Sequence, residues 1–243
     1  MNESEGRGGL RGRFVARCGV LLLGVMALCG CMRDEGSGPA PAEVAQKSLV
    51  LGEVPFGGGR YIVRVVGQED NLTRGSYHGE AAAVLENRDG SEVKRYRVVL
   101  SGSLVPVFAS VDYFAVVCSR EPVNVRSVLV VDAATRSFRI YDTDQKYIAN
   151  VAVYGEYLYY STEDPSSAVV RVRLDDASIR EYRVEIRTLL GSDFTLIDGD
   201  VYVYEPVGRR CFAVAESLTE KPCPQGFAPH KYHQERLSDF APR

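Results

Sequence analysis

The chain has 243 residues, a formal net charge of −3 and a hydrophobic share of 45%. That balance excludes the basic footprint of a nucleic-acid binder, and the length allows one sizeable domain with a packed core. Only three histidines are present, two of them near the C-terminal end, so a Ser-His-Asp or Cys-His arrangement is hard to assemble.

The first thirty residues stand apart from the rest. Arg7, Arg11, Arg13 and Arg17 form a basic stretch, and the apolar run Gly19–Leu28 follows it. A run of this length suits a secretion signal and falls short of the roughly twenty residues that a membrane-spanning helix needs. Small residues then appear, Cys29, Gly30 and Cys31. The segment Leu28-Cys29-Gly30-Cys31 resembles the bacterial lipobox. That resemblance implies cleavage before Cys31, a diacylglyceryl group on the Cys31 thiol and usually an acyl chain on the new amine. Two or three chains anchor durably where one is marginal. Met32 rather than Asp follows, which in that family implies the outer membrane of a Gram-negative cell. The expected address is the cell envelope, with membrane lipid met through acylated Cys31.

Residues 33–47 are rich in Gly, Ser, Pro and Ala. They cannot bury enough apolar surface to fold and read as a tether. The expected organisation is a signal peptide over 1–30, the lipidated Cys and tether over 31–47, a β domain over 48–230 and a tail over 231–243. Loss of the leader's four arginines and two glutamates moves the net charge from −3 to −5. Cys118, Cys211 and Cys223 remain, so an oxidising compartment predicts one disulfide and one thiol. Cys211 and Cys223 flank a turn near Ser217-Leu218, and an antiparallel hairpin places them opposite each other. Cys118 ends an apolar strand and reads as a buried small hydrophobe.

From Ser48 onward the sequence is a series of short β-type runs separated by Gly, Asp, Asn and Ser. The runs repeat. Asp112–Val116, Glu156–Tyr160 and Asp200–Tyr204 each open on an acid and start 44 residues apart. Val128–Asp132, Val170–Asp175 and Cys211–Glu216 each end in an acid before a turn. Tyr96-Arg97-Val98, Phe138-Arg139-Ile140 and Tyr182-Arg183-Val184 are each aromatic, Arg, β-branched. Val107–Ser110, Asn150–Val153 and Phe194–Ile197 supply an inner strand. A more diverged first copy uses Gly59–Val63, Ala81–Glu86 and Arg95–Val98. Four antiparallel strands per unit of about 43 residues is the pattern of a propeller blade.

The domain therefore resembles the β-propeller superfamily. The resemblance implies an all-β array of about four four-stranded blades, with the strand Ser48–Leu51 completing the last blade. A β-sandwich or an open β-array stays open as the alternative. Arg97, Arg139 and Arg183 on outer strands suit solvent and discourage edge-to-edge pairing.

Candidate chemistry is sparse. Asp112, Glu156 and Asp200 occupy equivalent repeat positions and could form a carboxylate ring for cations or a basic partner; each also suits a hairpin turn. His230 and His233 would share a helix face, but a metal site needs a third ligand, and none is expected here. Phe56-Gly-Gly-Gly-Arg60 precedes a strand, not the helix of a phosphate cradle, and reads as a turn. No Gly-x-Ser-x-Gly elbow occurs, and no cofactor is expected. Tyr154, Tyr157, Tyr159, Tyr160, Tyr202 and Tyr204 could form a recognition surface or pack between sheets. The sequence points to a non-enzymatic binding or assembly module for an envelope protein or polymer, with no nucleic acid involved. The alternative is an envelope hydrolase or lyase acting on polysaccharide, with carboxylates in a central depression.

Overall fold

The computed structural model describes residues 47–103, 105–120, 124–164, 167–183, 193–205, 208–225 and 236–242. The leader, Cys31, most of the tether and the pair His230 and His233 lie outside the described residues. Strands come in chain order as four antiparallel meanders. The first holds β1 (Ser48–Phe56), β2 (Tyr61–Gln68), the short β3 (Leu72–Thr73), β4 (Ser76–Asn87) and β5 (Glu92–Gly102). The second holds β6 (Val107–Ala109), β7 (Tyr113–Arg120), β8 (Val125–Asp132) and β9 (Ser137–Asp142). The third holds β10 (Tyr147–Tyr154), β11 (Tyr157–Asp164), β12 (Ala168–Arg173) and β13 (Ile179–Arg183). The fourth holds β14 (Asp193–Ile197), β15 (Asp200–Glu205), β16 (Arg210–Val214) and β17 (Leu218–Lys221).

Three sheets result, of nine, four and four strands. The first two meanders share the nine-stranded sheet, joined through the single pair Val99↔Ser119 between β5 and β7. The fold is all-β, but the expected radial ring of about four separate blades is overturned. Two blades are merged into one sheet, and none of the three sheets closes on itself. The strand expected to complete the last blade, Ser48–Leu51, pairs instead with β2, with Ser48 opposite Gln68 and Val50 opposite Val66. The physical reason is loop closure. Gly57, Gly58 and Gly59 all take positive φ and turn β1 directly into β2, whereas ring closure would join segments across most of the chain.

Side-chain alternation explains the stacking. On β7, Phe114, Val116 and Cys118 enter a core shared by the first two meanders, while Ala115 and Val117 enter a second core. On β8, Leu129 and Val131 face the first core and Val128 and Val130 the second. β12 divides likewise, Val170 and Val172 toward the second core and Val169 toward a third, which the last sheet completes with Val201, Val203 and Phe212. Strands apolar on both faces are covered on both faces by the meanders before and after them.

A repeated side-chain clamp joins successive layers. Tyr141 on β9 donates its hydroxyl to the Leu174 carbonyl at 2.7 Å, and Arg139 donates to the carbonyls of Leu174 and Asp175. On β13, Tyr182 donates to the Ala215 carbonyl, and Arg180 holds Glu216 through its carbonyl and its carboxylate. Tyr141 lies opposite Val128 and Tyr182 opposite Val169, so the two are structural equivalents. The repeat therefore aligns Arg139-Ile140-Tyr141 with Arg180-Glu181-Tyr182. The alignment read from aromatic-Arg-β-branched triplets is displaced on β13. Arg139 is exposed on the end strand β9, and it also ties that strand to the next turn. β5 carries a related Lys94-Arg95-Tyr96, whose Lys ammonium lies over the Phe138 ring and whose Tyr stacks on it. Tyr182→Phe should cost about 1 kcal/mol of stability, because the part-buried hydrogen bond to the Ala215 carbonyl is lost and water replaces it only in part. Urea unfolding of the variant checks this; a midpoint equal to wild type would reject the clamp.

The C-terminal residues return to the first layer. Arg236 bridges Pro106, the Leu237 amide donates to the Val105 carbonyl at 3.0 Å, and the Leu237 side chain is buried in the first core. Among the described residues no helix is long and apolar enough to cross a membrane.

Candidate functional site

The connection from β9 to β10 continues the alternation of the strand before it. Tyr141, Thr143 and Gln145 are buried, and Asp142, Asp144 and Lys146 are exposed. The buried members are held by specific hydrogen bonds. Thr143 Oγ1 donates to the Arg126 carbonyl at 2.6 Å and accepts from the Gln145 amide at 3.1 Å. Gln145 Oε1 accepts from Thr162 Oγ1 at 3.0 Å. With these groups satisfied inward, the two aspartates face outward into a cleft between the second meander and the third meander.

The cleft is a cavity of about 420 Å³, lined by Arg120, Asp142, Asp144, Tyr160, Ile179 and Glu181, with Val170 behind them. Arg120 Nη1 pairs with Asp142 Oδ2 at 3.0 Å, and Ser127 Oγ donates to Asp142 Oδ1 at 2.8 Å. Gln145 Nε2 donates to Asp144 Oδ1 at 2.6 Å. Burial pushes the Tyr160 phenol well above its usual range, and the charges of Asp144 and Glu181 push it the same way. Both carboxylates thus act on the floor of one cavity. Across the Arg120–Asp142 pair lies a second cavity of about 290 Å³, whose walls include Glu80, Tyr96, Arg97 and Ile140. The arrangement offers outward hydrogen-bond acceptors beside the apolar wall of Val170 and Ile179.

The acidic residues predicted from the repeat sit elsewhere. Asp112, Glu156 and Asp200 are exposed at the inner hairpins of their meanders. Glu156 follows Gly155 in a two-residue turn, and Asp200 follows the positive-φ pair Asp198-Gly199. The carbonyls of Asp112 and Glu156 accept from Ala133 and Leu174 at 2.9 Å in the same way. Asp112 and Glu156 both act on the Tyr113 phenol, which burial already pushes up; no described contact joins Asp200 to them. Of the tyrosines, Tyr159, Tyr160 and Tyr204 are buried and Tyr154, Tyr157 and Tyr202 half-buried.

A further depression lies between the inner strands. It is lined by Phe108, Tyr154 and Phe194, with Asp193 its one acidic residue among the described residues. No group of three or more His, Cys, Asp or Glu among the described residues is placed to hold a metal. His78 hydrogen-bonds Ser101 at 3.0 Å on the surface.

Cys211 and Cys223 form a disulfide, with Cα atoms 5.1 Å apart. The pairing Val214↔Leu218 centres the turn on Glu216, and Cys211 lies opposite Lys221. Cys223 lies beyond the end of β17, rather than directly opposite its partner. Cys118 is a buried free thiol, pushed up to about 12 by burial.

Asp142, Asp144, Glu181 and Arg120 were not singled out from sequence. The alternation Asp142-Thr-Asp-Gln145 carried the signal for the first two. Glu181 and Arg120 had none, since they reach the cleft from strands distant in sequence.

No family model matches the chain, and no curated protein matches it. Solved structures give weak likenesses. The β-propeller domain of the Trilobed protease from Pyrococcus furiosus is 14% identical with a TM-score of 0.47, over 71% of this chain and 57% of that one. Hydrazine synthase from Kuenenia stuttgartiensis is 10% identical with a TM-score of 0.38, over 64% of this chain and 49% of that one. Apocarotenoid oxygenase from Synechocystis is 11% identical with a TM-score of 0.32, over 64% of this chain and 45% of that one. The chain thus spans less than two thirds of each. The first is a low-identity resemblance to a β-propeller-type fold, and none bears on function.

Proposed function

We propose that this chain is an envelope lipoprotein, anchored through Cys31, whose carboxylate-lined cleft holds a hydroxyl-rich polymer, an envelope polysaccharide. The observation that carries the reading is the convergence of Asp142, Asp144 and Glu181 on one cavity with an apolar wall. Carboxylates accept hydrogen bonds from sugar hydroxyls, and the C–H face of a sugar ring packs on aliphatic side chains. Arg120 fixes Asp142, so the acceptor at the cleft mouth is held in place before any ligand arrives. The lipid on Cys31 would keep this cleft close to the polymer.

A second reading rests on the same residues. Glycoside hydrolysis uses two carboxyl groups flanking the bond, and Asp144 and Glu181 act from one cavity on the same phenol. Cosedimentation of the full chain with insoluble envelope polysaccharide tests the binding reading. Substituting Asp142→Asn, Asp144→Asn and Glu181→Gln together should cut retention about tenfold or more, each lost charge-assisted bond contributing about 1.5–3 kcal/mol. Equal retention would remove the cleft from the function. New reducing ends, lost in Asp144→Asn and Glu181→Gln singly, would assign the hydrolytic reading. In the same preparation Cys31→Ser should move the protein from the membrane pellet to the supernatant.

A further inference from the structure

We infer that the cavity across the Arg120–Asp142 pair is a second subsite of the same cleft, and that it takes a carboxylated unit of the polymer, a uronic acid, through Arg97. The inference rests on the polysaccharide reading above and narrows the polymer to an acidic one. Arg120 and Asp142 line both cavities. The two lie on either side of one ion pair, so an extended polymer seated in the first is led into the second.

The second cavity exists because two strands part. β5 and β7 are joined by the single pair Val99↔Ser119. Away from that pair β5 is bonded to β4 alone, and a gap of about 290 Å³ opens between β5 and the end strand β9. Val99 and Ile140 give it an aliphatic wall, and Ile140 is 37% exposed. Tyr96 lines it too, held by stacking on Phe138 with ring centroids 6.0 Å apart. This is the kind of surface on which the C–H face of a sugar ring packs, as Val170 and Ile179 provide in the first cavity.

The charges of the two cavities differ. The first has the carboxylates of Asp142, Asp144 and Glu181 against the one guanidinium of Arg120. The second has Asp142 and Glu80 against Arg120 and Arg97. Asp142 and Arg120 neutralise each other at 3.0 Å, and Arg120 also donates to the Thr143 carbonyl at 3.4 Å. Arg97 is exposed and makes no hydrogen bond or ion pair with any described residue. A planar guanidinium with open donors matches a carboxylate through two parallel hydrogen bonds. Glu80 lies opposite Val99 on β4 and accepts from the hydroxyls of the same sugar unit. The first cavity, negative on balance, repels an acidic unit, whereas the second is balanced and offers it a cation. That contrast sets the register of a polymer in which acidic and uncharged units follow one another.

The test is cosedimentation of the full chain with insoluble envelope polysaccharide before and after its carboxyl groups are reduced to alcohols. The native polymer should retain the protein about tenfold more tightly than the reduced one, the difference that one charge-assisted pair makes. The preference should shrink as salt is raised. Arg97→Gln should bind both polymers alike, at the level of the unaltered chain on the reduced polymer. Arg97→Lys, which keeps the charge and loses the fork, should keep part of the preference. Equal retention of the unaltered chain on the two polymers, or a full preference in Arg97→Gln, would overturn this inference and leave the cleft reading standing. Retention on neither polymer would end both. The comparison of the two polymers on the unaltered chain depends on no variant folding.

Discussion

Leu237→Ala should destabilise the domain by about 2–5 kcal/mol, the range for truncating a buried leucine without full collapse of the space left behind. Most of residues 237–242 are exposed. Among the described residues of this segment the deepest is Leu237, 4% exposed within the core of the first two meanders, and Phe240 packs partly against the same core. That contact is strengthened by main-chain bonds, since the Leu237 amide reaches the Val105 carbonyl and Arg236 bridges Pro106. Gly52 on β1 makes the approach possible. A Cβ there would lie 2.6 Å from Leu237 Cδ1 and 2.8 Å from the Leu237 carbonyl oxygen. Gly52→Ala should therefore also destabilise, by displacing the segment from β1. The double substitution should cost less than the sum, because both act on one contact. Equilibrium urea unfolding of the three variants reads these values. A Leu237→Ala transition within about 0.5 kcal/mol of wild type, the level of an ordinary surface change, would mean the segment is not part of the cooperative fold.

Replacing Cys211 and Cys223 together by serine should cost about 3 kcal/mol and lower the melting temperature by roughly 6–12 °C. The estimate follows from the loop: the two positions are 12 apart in sequence, and closing such a loop removes freedom from the unfolded chain. Context raises the stakes. β17 is the last strand of its sheet, bonded to β16 alone, and its residues Thr219–Lys221 are exposed. It carries no counterpart of the Arg-x-Tyr clamp found on β9 and β13, so the covalent link is what retains the end of this strand against Cys211. Differential scanning calorimetry of the oxidised, reduced and Cys→Ser forms measures the loss. Cys118 will not confuse the result: it is buried and its thiol is pushed up to about 12, so of the three cysteines in the β domain, alkylation of the folded reduced protein should label Cys211 and Cys223 and spare Cys118. Identical melting of the oxidised and reduced forms would show that the bond holds nothing the hairpin does not already hold.

What the amino-acid order determined by itself was local. Runs such as Val128–Val131 and Tyr157–Tyr160 are strands because β-branched and aromatic residues alternate between two apolar surroundings, and that is written within a few residues. The hairpin turns were equally legible, at Tyr154-Gly155-Glu156 and Asp198-Gly199-Asp200, because positive φ restricts which residues can occupy them. The disulfide partners were legible because Cys211 and Cys223 flank one hairpin turn. Tertiary structure alone decided which strand pairs with which and which side chains share a cavity. Ser48–Leu51 could serve either end of the array, and the short Gly57–Gly59 connection gave it to β2. The cleft needs Asp142, Asp144 and Glu181 from β9, a connection and β13, and these meet only after the second and third meanders stack. Pairing and stacking depend on free-energy differences between distant segments of nearly equal character, which no short window of sequence contains.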